Sequence, residues 1–593
     1  MREYSVPATI TVGDEENLVD AVYDNASAHG ADVVYRRRGT GDAWTDVTAA
    51  EFAEQVTAVA RGLIASGVAA GDRVALLSRT RYEWTLLDYA ILAVGGVTVP
   101  IYETSSAEQV SWILEDSGAV GIVVESPKHK DLVAGVAAPS VTVWQIDAGA
   151  VESLTSAGVD LTSDQVQARR AAVGGDDLAT LIYTSGTTGR PKGCELTHRN
   201  LLTEVRAVTQ VFPELFTAGG SVLLFLPLAH VFGKAIQLGA MCTRTIVGHT
   251  PDVAQLLPDL AAFRPTFLLA VPRVFEKVYN GARQRAHNDG KGKIFDAAAD
   301  TAIAWSKALD TGGPGIALRA KHALFDRLVY GKLRMAVGGA VVAAVSGSAP
   351  LGARLGHFFR GVGLPVLEGY GLTETSAGIT LNTLAAQRVG SVGRPVPGHA
   401  VRIAEDGEIL LKGPIVFRGY WKNETATSEA IEDGWFRSGD IGELDDAGFL
   451  TITGRKKEII VTAGGKNVAP AVLEDRLRAH PLISQCMVVG DAQPFIGALV
   501  TIDSEALPGW RERHGKPAGD SAADLVDDAD LLAEVDAAVD EANKAVSRAE
   551  QIRRFRILPV DFTEAGGEMT PTMKVKRQVV AKTFADDIAA IYS

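Results

Sequence analysis

Tyr183-Thr-Ser-Gly-Thr-Thr-Gly-Arg-Pro-Lys-Gly193 follows directly on a strand-like run, Leu178-Ala-Thr-Leu-Ile-Tyr183. Glycines and hydroxyls at this density let backbone N–H and side-chain O–H groups converge on one anion, and Lys192 adds a cation. That is the chemistry of a loop that cradles the β- and γ-phosphates of ATP. The spacing departs from a Walker A loop, GxxxxGK followed by Ser or Thr, and so argues against a kinase or GTPase. A surface turn is the bland alternative, and it leaves the order of hydroxyls, glycines and lysine without a reason.

Outward from this loop, helical and strand patterns alternate. Residues 49–67 have helical spacing, 73–78 read as a buried strand, 83–93 as a helix and 96–101 as another strand. Such alternation predicts parallel sheets covered by helices. From about residue 390 short strands with turn signals take over, VRIAEDGEILLKG and then DGWFRSGDIGELDDAGFLTITG, a β-rich antiparallel module. Beyond Arg455 a small α/β unit is expected: 458–461 as a strand, 470–480 as a helix opened by Pro470, 527–553 helical and 555–558 a last strand. No repeat of fixed period occurs, which excludes a solenoid.

A chain of 593 residues is too long for one core, so two or more domains are expected. The balance of 58 basic against 72 acidic side chains disfavours nonspecific nucleic-acid binding. Cys194, Cys242 and Cys486 are too far apart for a CxxC pair, a zinc site or a disulfide framework, and read as buried small residues in a reducing compartment. The first residues, MREYSVPATITVGDEENL, contain no apolar signal segment. Residues 335–353, MAVGGAVVAAVSGSAPLGA, read as a buried strand followed by a loop rather than a membrane span. These features predict a cytoplasmic protein, with peripheral contact at the inner face of the membrane left open.

The glycine-rich loop resembles the phosphate-binding signature of the adenylate-forming superfamily, which includes acyl-CoA synthetases, luciferases and the adenylation domains of peptide synthetases. Further stretches resemble its other motifs in order. Leu226-Pro-Leu-Ala-His-Val-Phe232 is similar to the segment that brings a ring beside the substrate carboxylate. It lacks the acid used by amino-acid-activating members, and His230 would separate the nucleotide site from an acyl tunnel; a core histidine is the alternative. Arg264-Pro-Thr-Phe-Leu-Leu-Ala-Val-Pro-Arg-Val-Phe-Glu-Lys-Val-Tyr279 is similar to a segment of long-chain synthetases and reads mostly as scaffold.

Val345-Ser-Gly-Ser-Ala-Pro350 resembles the turn along the adenine, with Ser348 where members often have Gly, followed by Ala349. In Glu368-Gly-Tyr-Gly-Leu-Thr-Glu-Thr375 the resemblance implies that Glu368, Gly369 and Gly371 line the nucleotide and Tyr370 stacks on adenine. It further implies that Thr373 contacts the α-phosphate and that Glu374, with Thr184, holds Mg²⁺. A carboxylate beside phosphates needs a hard cation between them. Asp440, in Trp435-Phe-Arg-Ser-Gly-Asp440, would bind the ribose hydroxyls, since a carboxylate only accepts. Arg455 would reach the ribose or phosphates, and Lys457 occupies the hinge position. Ala463-Gly-Gly-Lys-Asn-Val-Ala-Pro470 resembles the loop that enters the site for thioester formation. Thr570-Pro-Thr-Met-Lys-Val-Lys-Arg577 resembles the catalytic-lysine motif, with Lys574 aligned and Lys576 as competitor.

The resemblance covers nearly the whole chain, from about Glu16 onward. The fold it implies is α/β: a large N-terminal adenylation domain, 1–455, of two stacked α/β subdomains plus a distorted β-barrel at about 390–455, and a small mobile α+β C-terminal domain, 456–593. The implied reaction joins a long-chain fatty acid to coenzyme A through acyl-AMP, with ATP, coenzyme A and Mg²⁺ required. Thr184, Ser185, Gly186, Thr187, Thr188 and Gly189 would bind nucleotide, and Lys574, Lys192, Thr373 and His230 would act in catalysis. Two rivals stay open: an acyl-AMP ligase that serves a carrier protein, and a regulator without chemistry. The basic run Arg553-Arg-Phe-Arg556 is either a contact for coenzyme A phosphates or a solvated strand edge. Chain-length preference and oligomeric state are not fixed by the sequence.

Overall fold

The computed structural model describes residues 1–593 except 40–42, 185–189, 253–254, 465 and 571–572. Two large sheets dominate. One has seven strands in the order Gly419–Tyr420, Lys192–Thr197, Leu178–Thr184, Val97–Ile101, Arg73–Leu77, Gly121–Val124, Thr142–Gln145. Its central strands pair in parallel and are buried nearly throughout, because helices cover both faces. The second has nine strands, with Ser221–Leu224, Phe267–Ala270, Ala343–Ser346 and Val366–Tyr370 at its parallel centre. Both sheets share one hydrophobic core with the helices between them.

The helices predicted at 49–67 and 83–93 are Ala49–Ala65 and Tyr82–Ala93. The first begins where Thr48 and Glu51 cap each other's backbone N–H groups. Residues 335–353 differ from expectation: the strand is only Ala343–Ser346, and Met335 lies in the last turn of a short helix, Gly331–Ala336, with its side chain exposed. The glycines at 338 and 339 take positive φ and turn the chain between the two elements.

A six-stranded antiparallel sheet holds the β-rich module, joined by the chain's first strand, Glu3–Ser5, which pairs with Ala400–Ile403. Past Arg455 lies a short 3₁₀ turn, Lys456–Glu458, and only then a two-residue strand, Ile460–Val461, shorter than the strand expected at 458–461. The rest forms a separate small body around the sheet Ile483–Val489, Ile496–Ile502, Ile552–Ile557. Alternate residues of these strands enter two different cores. Cys486, Val488, Ala498 and Val500 face the helices Pro470–Arg478 and Ala529–Asn543, while Met487 and Leu499 face Val580 and Ile591. Cys194 and Cys486 are buried as expected; Cys242 is only partly so.

The small body docks on one face of the helix Pro272–Asn288. Arg273 there bonds Asp503 at 3.0 Å and Ser484 at 3.4 Å, and Lys277 bonds Glu505 at 3.1 Å. Phe275 and Tyr279 on the opposite face pack on Phe359 and Phe358. The stretch that read mostly as scaffold therefore also supplies the dock.

Candidate active site

Leu178–Thr184 and Lys192–Thr197 form a hairpin in which Thr184 stands opposite Lys192. Ser185, Gly186, Thr187, Thr188 and Gly189, between them, lie outside the described residues. The stem is held on both sides. Trp112 donates its indole N–H to the carbonyl of Pro191 at 2.9 Å, and the backbone N–H of Trp421 donates to that of Gly193 at 2.8 Å. The Lys192 ammonium lies 4.9 Å from the centre of the Tyr420 ring, a cation–π distance.

The Tyr420 hydroxyl donates to Oε1 of Glu374 at 2.8 Å, which links the lysine stem to the second motif. Glu374 is 9 % exposed, and burial pushes its carboxyl above the ordinary value against the hydrogen bonds it accepts. It sits in the 3₁₀ turn Thr373–Thr375, directly after the strand Val366–Tyr370. Two residues in unusual conformations follow, Ser376 at φ 55° and Ala377 at φ 127°. Strain of this kind persists only where the surroundings fix it. Here Ser376 Oγ donates to the Ile415 carbonyl at 2.8 Å, and the Gly378 N–H donates to Oε1 of Glu204 at 2.7 Å. The glycines of the motif are packing requirements: a Cβ at Gly371 would fall on the carbonyl of Ala377, and one at Gly369 on Leu381.

Tyr370 donates its hydroxyl to Oδ2 of Asp440 at 2.7 Å, and Arg455 Nε donates to Oδ1 at 2.9 Å. Asp440 and Arg455 are cross-strand partners in the β-rich sheet, so backbone pairing alone brings them together. Each oxygen retains acceptor capacity, so the carboxylate can still take hydroxyl protons from a sugar. Ser348 adopts φ 71°, the conformation in which glycine would be at ease, and Ala349 beside it is exposed. Glu368 accepts the N–H of Leu351 at 3.0 Å. Its carboxyl is pushed up to about 7, by burial first, with that N–H opposing and Asp475 of the small body adding to it.

His230 precedes the helix Val231–Thr243, and its Nδ1 accepts the N–H of Phe232 at 3.2 Å. Burial, and then the charge of Lys574, drops its pKa to about 3, so the ring is neutral at ordinary pH. That interaction brings the two ends of the chain's chemistry together. Lys574 comes from the small body in a tight turn, its N–H on Thr570 Oγ1 at 3.0 Å, with Met573 at φ 63°. Its ammonium is held below the ordinary value by desolvation and then by Arg455, while Asp440, Glu458 and Glu374 oppose the shift. Lys574 is exposed to solvent, although neighbouring protein groups desolvate its charged end. Lys576 instead sits at the N-terminal end of the helix Arg577–Thr583, its N–H on the Glu568 carbonyl at 2.7 Å.

Lys456 is tied to Asp406 at 2.5 Å and Glu408 at 3.0 Å, whereas Lys457 is exposed. The loop that begins at Ala463 lies against the small body: the Ala463 N–H bonds the Gln493 carbonyl at 2.9 Å and Lys466 pairs with Glu550 at 3.3 Å.

Beside Phe232 a narrow cavity of about 30 Å³ runs between the helices His198–Val211 and Val231–Thr243, lined by Val208, Phe212, Phe216, Ile236, Ala377 and Glu204 among others. It has room for about two waters, so a long apolar ligand needs its aromatic walls to part. Glu204 is 1 % exposed and raised well above the carboxylate range by burial, and its Oε2 has no partner among the described residues. Beneath the same helix Lys234 and Asp88, both fully buried, pair at 2.6 Å. Neither Glu204 nor this pair carries a motif in the sequence.

A model of the AMP-binding enzyme family matches residues 22–421. The chain belongs to the AMP-binding enzymes. A second family model, that of the AMP-binding enzyme C-terminal domain, matches 457–593. Among individual proteins, this AMP-binding enzyme is 59 % identical over 599 residues to long-chain-fatty-acid--CoA ligase FadD15 of Mycobacterium tuberculosis, covering 100 % of each chain. It is 32 % identical over 616 residues to peroxisomal long chain acyl-CoA synthetase 6 of Arabidopsis thaliana, covering 97 % of this chain and 86 % of that one. ATP-bound MatB from Rhodopseudomonas palustris has the same fold, with a TM-score of 0.72 at 25 % identity over 97 % of this chain and 100 % of that one. So does the A domain of a carboxylic acid reductase from Segniliparus rugosus in complex with AMP, at 0.73 and 22 % identity over 97 % and 94 %. The expected α/β architecture, with a large first domain and a small second one, is the one found.

Proposed function

We propose that the protein ligates a long-chain fatty acid to coenzyme A in two ATP-dependent half-reactions. The fatty carboxylate attacks the α-phosphorus of ATP, a P–O bond forms and pyrophosphate leaves with the electron pair. The coenzyme A thiolate then attacks the carbonyl of the acyl-AMP, a C–S bond forms and AMP leaves. The full-length similarity to proteins named long-chain-fatty-acid–CoA ligases supports this reaction over transfer to a carrier protein. Support for the residue roles comes from Lys574 lying within electrostatic reach of Asp440, Arg455, Glu374 and His230.

Lys574 and Lys192 face the negative charge that develops on the phosphates, a charge that fixed cations stabilise without reorganisation. Tyr370 lies along the adenine, with Ser348, Ala349, Glu368, Gly369 and Gly371 around it, and Asp440 and Arg455 hold the sugar. Thr184 and Ser185 to Gly189 take the outer phosphates, and Thr373 takes the α-phosphate. His230, neutral, serves as a shaped wall and hydrogen-bonding group beside the carboxylate rather than as a proton acceptor. No group of three or more potential metal ligands occurs among the described residues. That fits Mg²⁺, which keeps waters and substrate phosphates as most of its ligands and needs only one or two protein oxygens. Glu374 and the Thr184 hydroxyl would hold it, and it would supply charge neutralisation to the phosphates.

The domain boundary is proposed at 455/456, and rotation at Lys457 would withdraw Lys574 and bring in the loop from Ala463. Lys574→Ala tests the assignment. Pyrophosphate release should collapse, while thioester formation from supplied acyl-AMP survives; equal loss of both, or a larger effect from Lys576→Ala, overturns it.

A further inference from the structure

The segment from residue 316 to residue 335 stands out by charge. It contains Arg319, Lys321, Arg327, Lys332 and Arg334 against the single acid Asp326, in a chain whose net charge is −14. Asp326 is taken by Arg334 at 2.8 Å. Arg319 and Lys321 are engaged only by the Pro314 carbonyl and the Phe325 ring, and no carboxylate pairs with either, or with Arg327 or Lys332, among the described residues. All four are exposed.

The same surface is apolar at its centre. Ile316 is 88 % exposed, Leu324 56 %, Leu328 47 % and Met335 61 %. These residues lie along the helix Ile316–Phe325, a π-helical turn Asp326–Tyr330 and the helix Gly331–Ala336. Leu324, Leu328 and Met335, four and seven residues apart, lie on the solvent side of this run, while Phe325, Tyr330 and Leu333 are buried on the other.

This face is held rigidly from behind. Phe325, Tyr330 and Leu333 are buried, Tyr330 donates its hydroxyl to the Ala298 carbonyl at 2.7 Å, and the His322 ring stacks 4.0 Å from that of Trp305. The exposed side chains are therefore not an unfolded fringe. They are large aliphatic groups fixed in water and ringed by unneutralised cations.

We propose that this surface docks the enzyme on an anionic lipid bilayer, with Ile316, Leu324, Leu328 and Met335 entering the headgroup layer and Arg319, Lys321, Arg327 and Lys332 binding lipid phosphates. Shallow insertion of aliphatic groups plus attraction of basic residues is the physics of interfacial attachment. A protein partner is disfavoured by cations spread along the face rather than gathered at one point. No helix among the described residues is long and apolar enough to cross a membrane. The inference stands apart from the reaction proposed above, and its test does not use the long-chain substrate.

The full chain is sedimented with vesicles of phosphatidylglycerol and phosphatidylcholine, or of phosphatidylcholine alone. The wild type should bind the anionic vesicles about tenfold better, and high salt should erase most of that preference. Leu324→Ser/Leu328→Ser/Met335→Ser should lose binding to both. Arg319→Gln/Lys321→Gln/Arg327→Gln/Lys332→Gln should lose the preference for the anionic lipid. Pyrophosphate release with a short, water-soluble acid, unchanged in both variants, certifies their folding. Equal binding of both vesicles by the wild type, wild-type binding by either variant, or a patch-dependent dimer that forms without lipid and leaves vesicles unbound overturns the proposal.

Discussion

Arg273 and Asp503, 230 positions apart in the chain, meet at 3.0 Å where the small body rests on the large one. The pair is mostly sheltered from water, at 14 % and 17 % side-chain exposure. It joins the two bodies in the arrangement in which Asp440 and Glu374 act electrostatically on Lys574. Removing one partner, as in Arg273→Ala, should weaken that arrangement by about 1–2 kcal/mol, a factor of about 5–30. Adenylate formation should fall by that factor while thioester formation from supplied acyl-AMP does not. Parallel loss of both steps would mean the contact is only structural.

Lys234 and Asp88 form a fully buried pair at 2.6 Å, with Gln237 also on Asp88 at 3.2 Å. Lys234→Ala leaves a carboxylate stranded in the core and should cost about 3–5 kcal/mol, read as a shift of the urea midpoint. Lys234→Met/Asp88→Asn should recover most of it. A double variant no better than the single one would refute the reading.

Stability should decline as pH rises through the range set by Glu368. Its native pKa, about 7, lies above the ordinary carboxylate value, so the folded protein holds a proton that the unfolded chain has released. The contribution is complete below about pH 4 and is lost as pH rises through about 7, in total on the order of 3 kcal/mol. Glu368→Gln keeps an acceptor for Leu351 and should flatten this dependence in melting curves taken across the interval. An unchanged slope would show that another group titrates.

The neutral ring of His230 predicts the opposite kind of result. With its pKa near 3, the residue adds no titration step to adenylate formation between about pH 5 and about pH 8. His230→Ala should lower the rate without moving the pH profile. A limb that vanishes in the variant would contradict this.

Glu204 joins the cavity wall to the strained turn through Gly378. Glu204→Gln preserves that acceptor and should behave nearly as the wild type. Glu204→Leu leaves the partly buried Gly378 N–H without its acceptor, at about 1–3 kcal/mol, and should depress adenylate formation with acids of every length. Selective loss with long acids alone would make Glu204 a chain-length determinant instead.

Much of this site was legible because its parts are local. The hairpin that sets Thr184 opposite Lys192 spans a few residues, and Asp440 and Arg455 face each other across one antiparallel pair. Residue types there point to the chemistry proposed above: hydroxyls and glycines suit phosphate, and a carboxylate suits a sugar. The parallel strands were legible from their apolar runs, since both faces are buried. What escaped is what folding brings together from afar. Tyr420 meets Glu374 across 46 positions, Lys234 meets Asp88 across 146 and Glu204 meets Gly378 across 174. None has a spacing that a single chain read in order could reveal. The strand expected at 458–461 failed for a different reason: Lys456 is pulled back onto Asp406 and Glu408, which tightens the chain into a turn.

That tether has a consequence for timing. Arg455 is bonded to Asp440 and Lys456 to its two acids, all on the near side of the rotation proposed at Lys457. A swing that starts there would leave the Asp440–Arg455 contact, proposed to hold the sugar, untouched. The activated intermediate would then ride through the changeover without being let go, and nucleotide escape would wait until the second displacement is over.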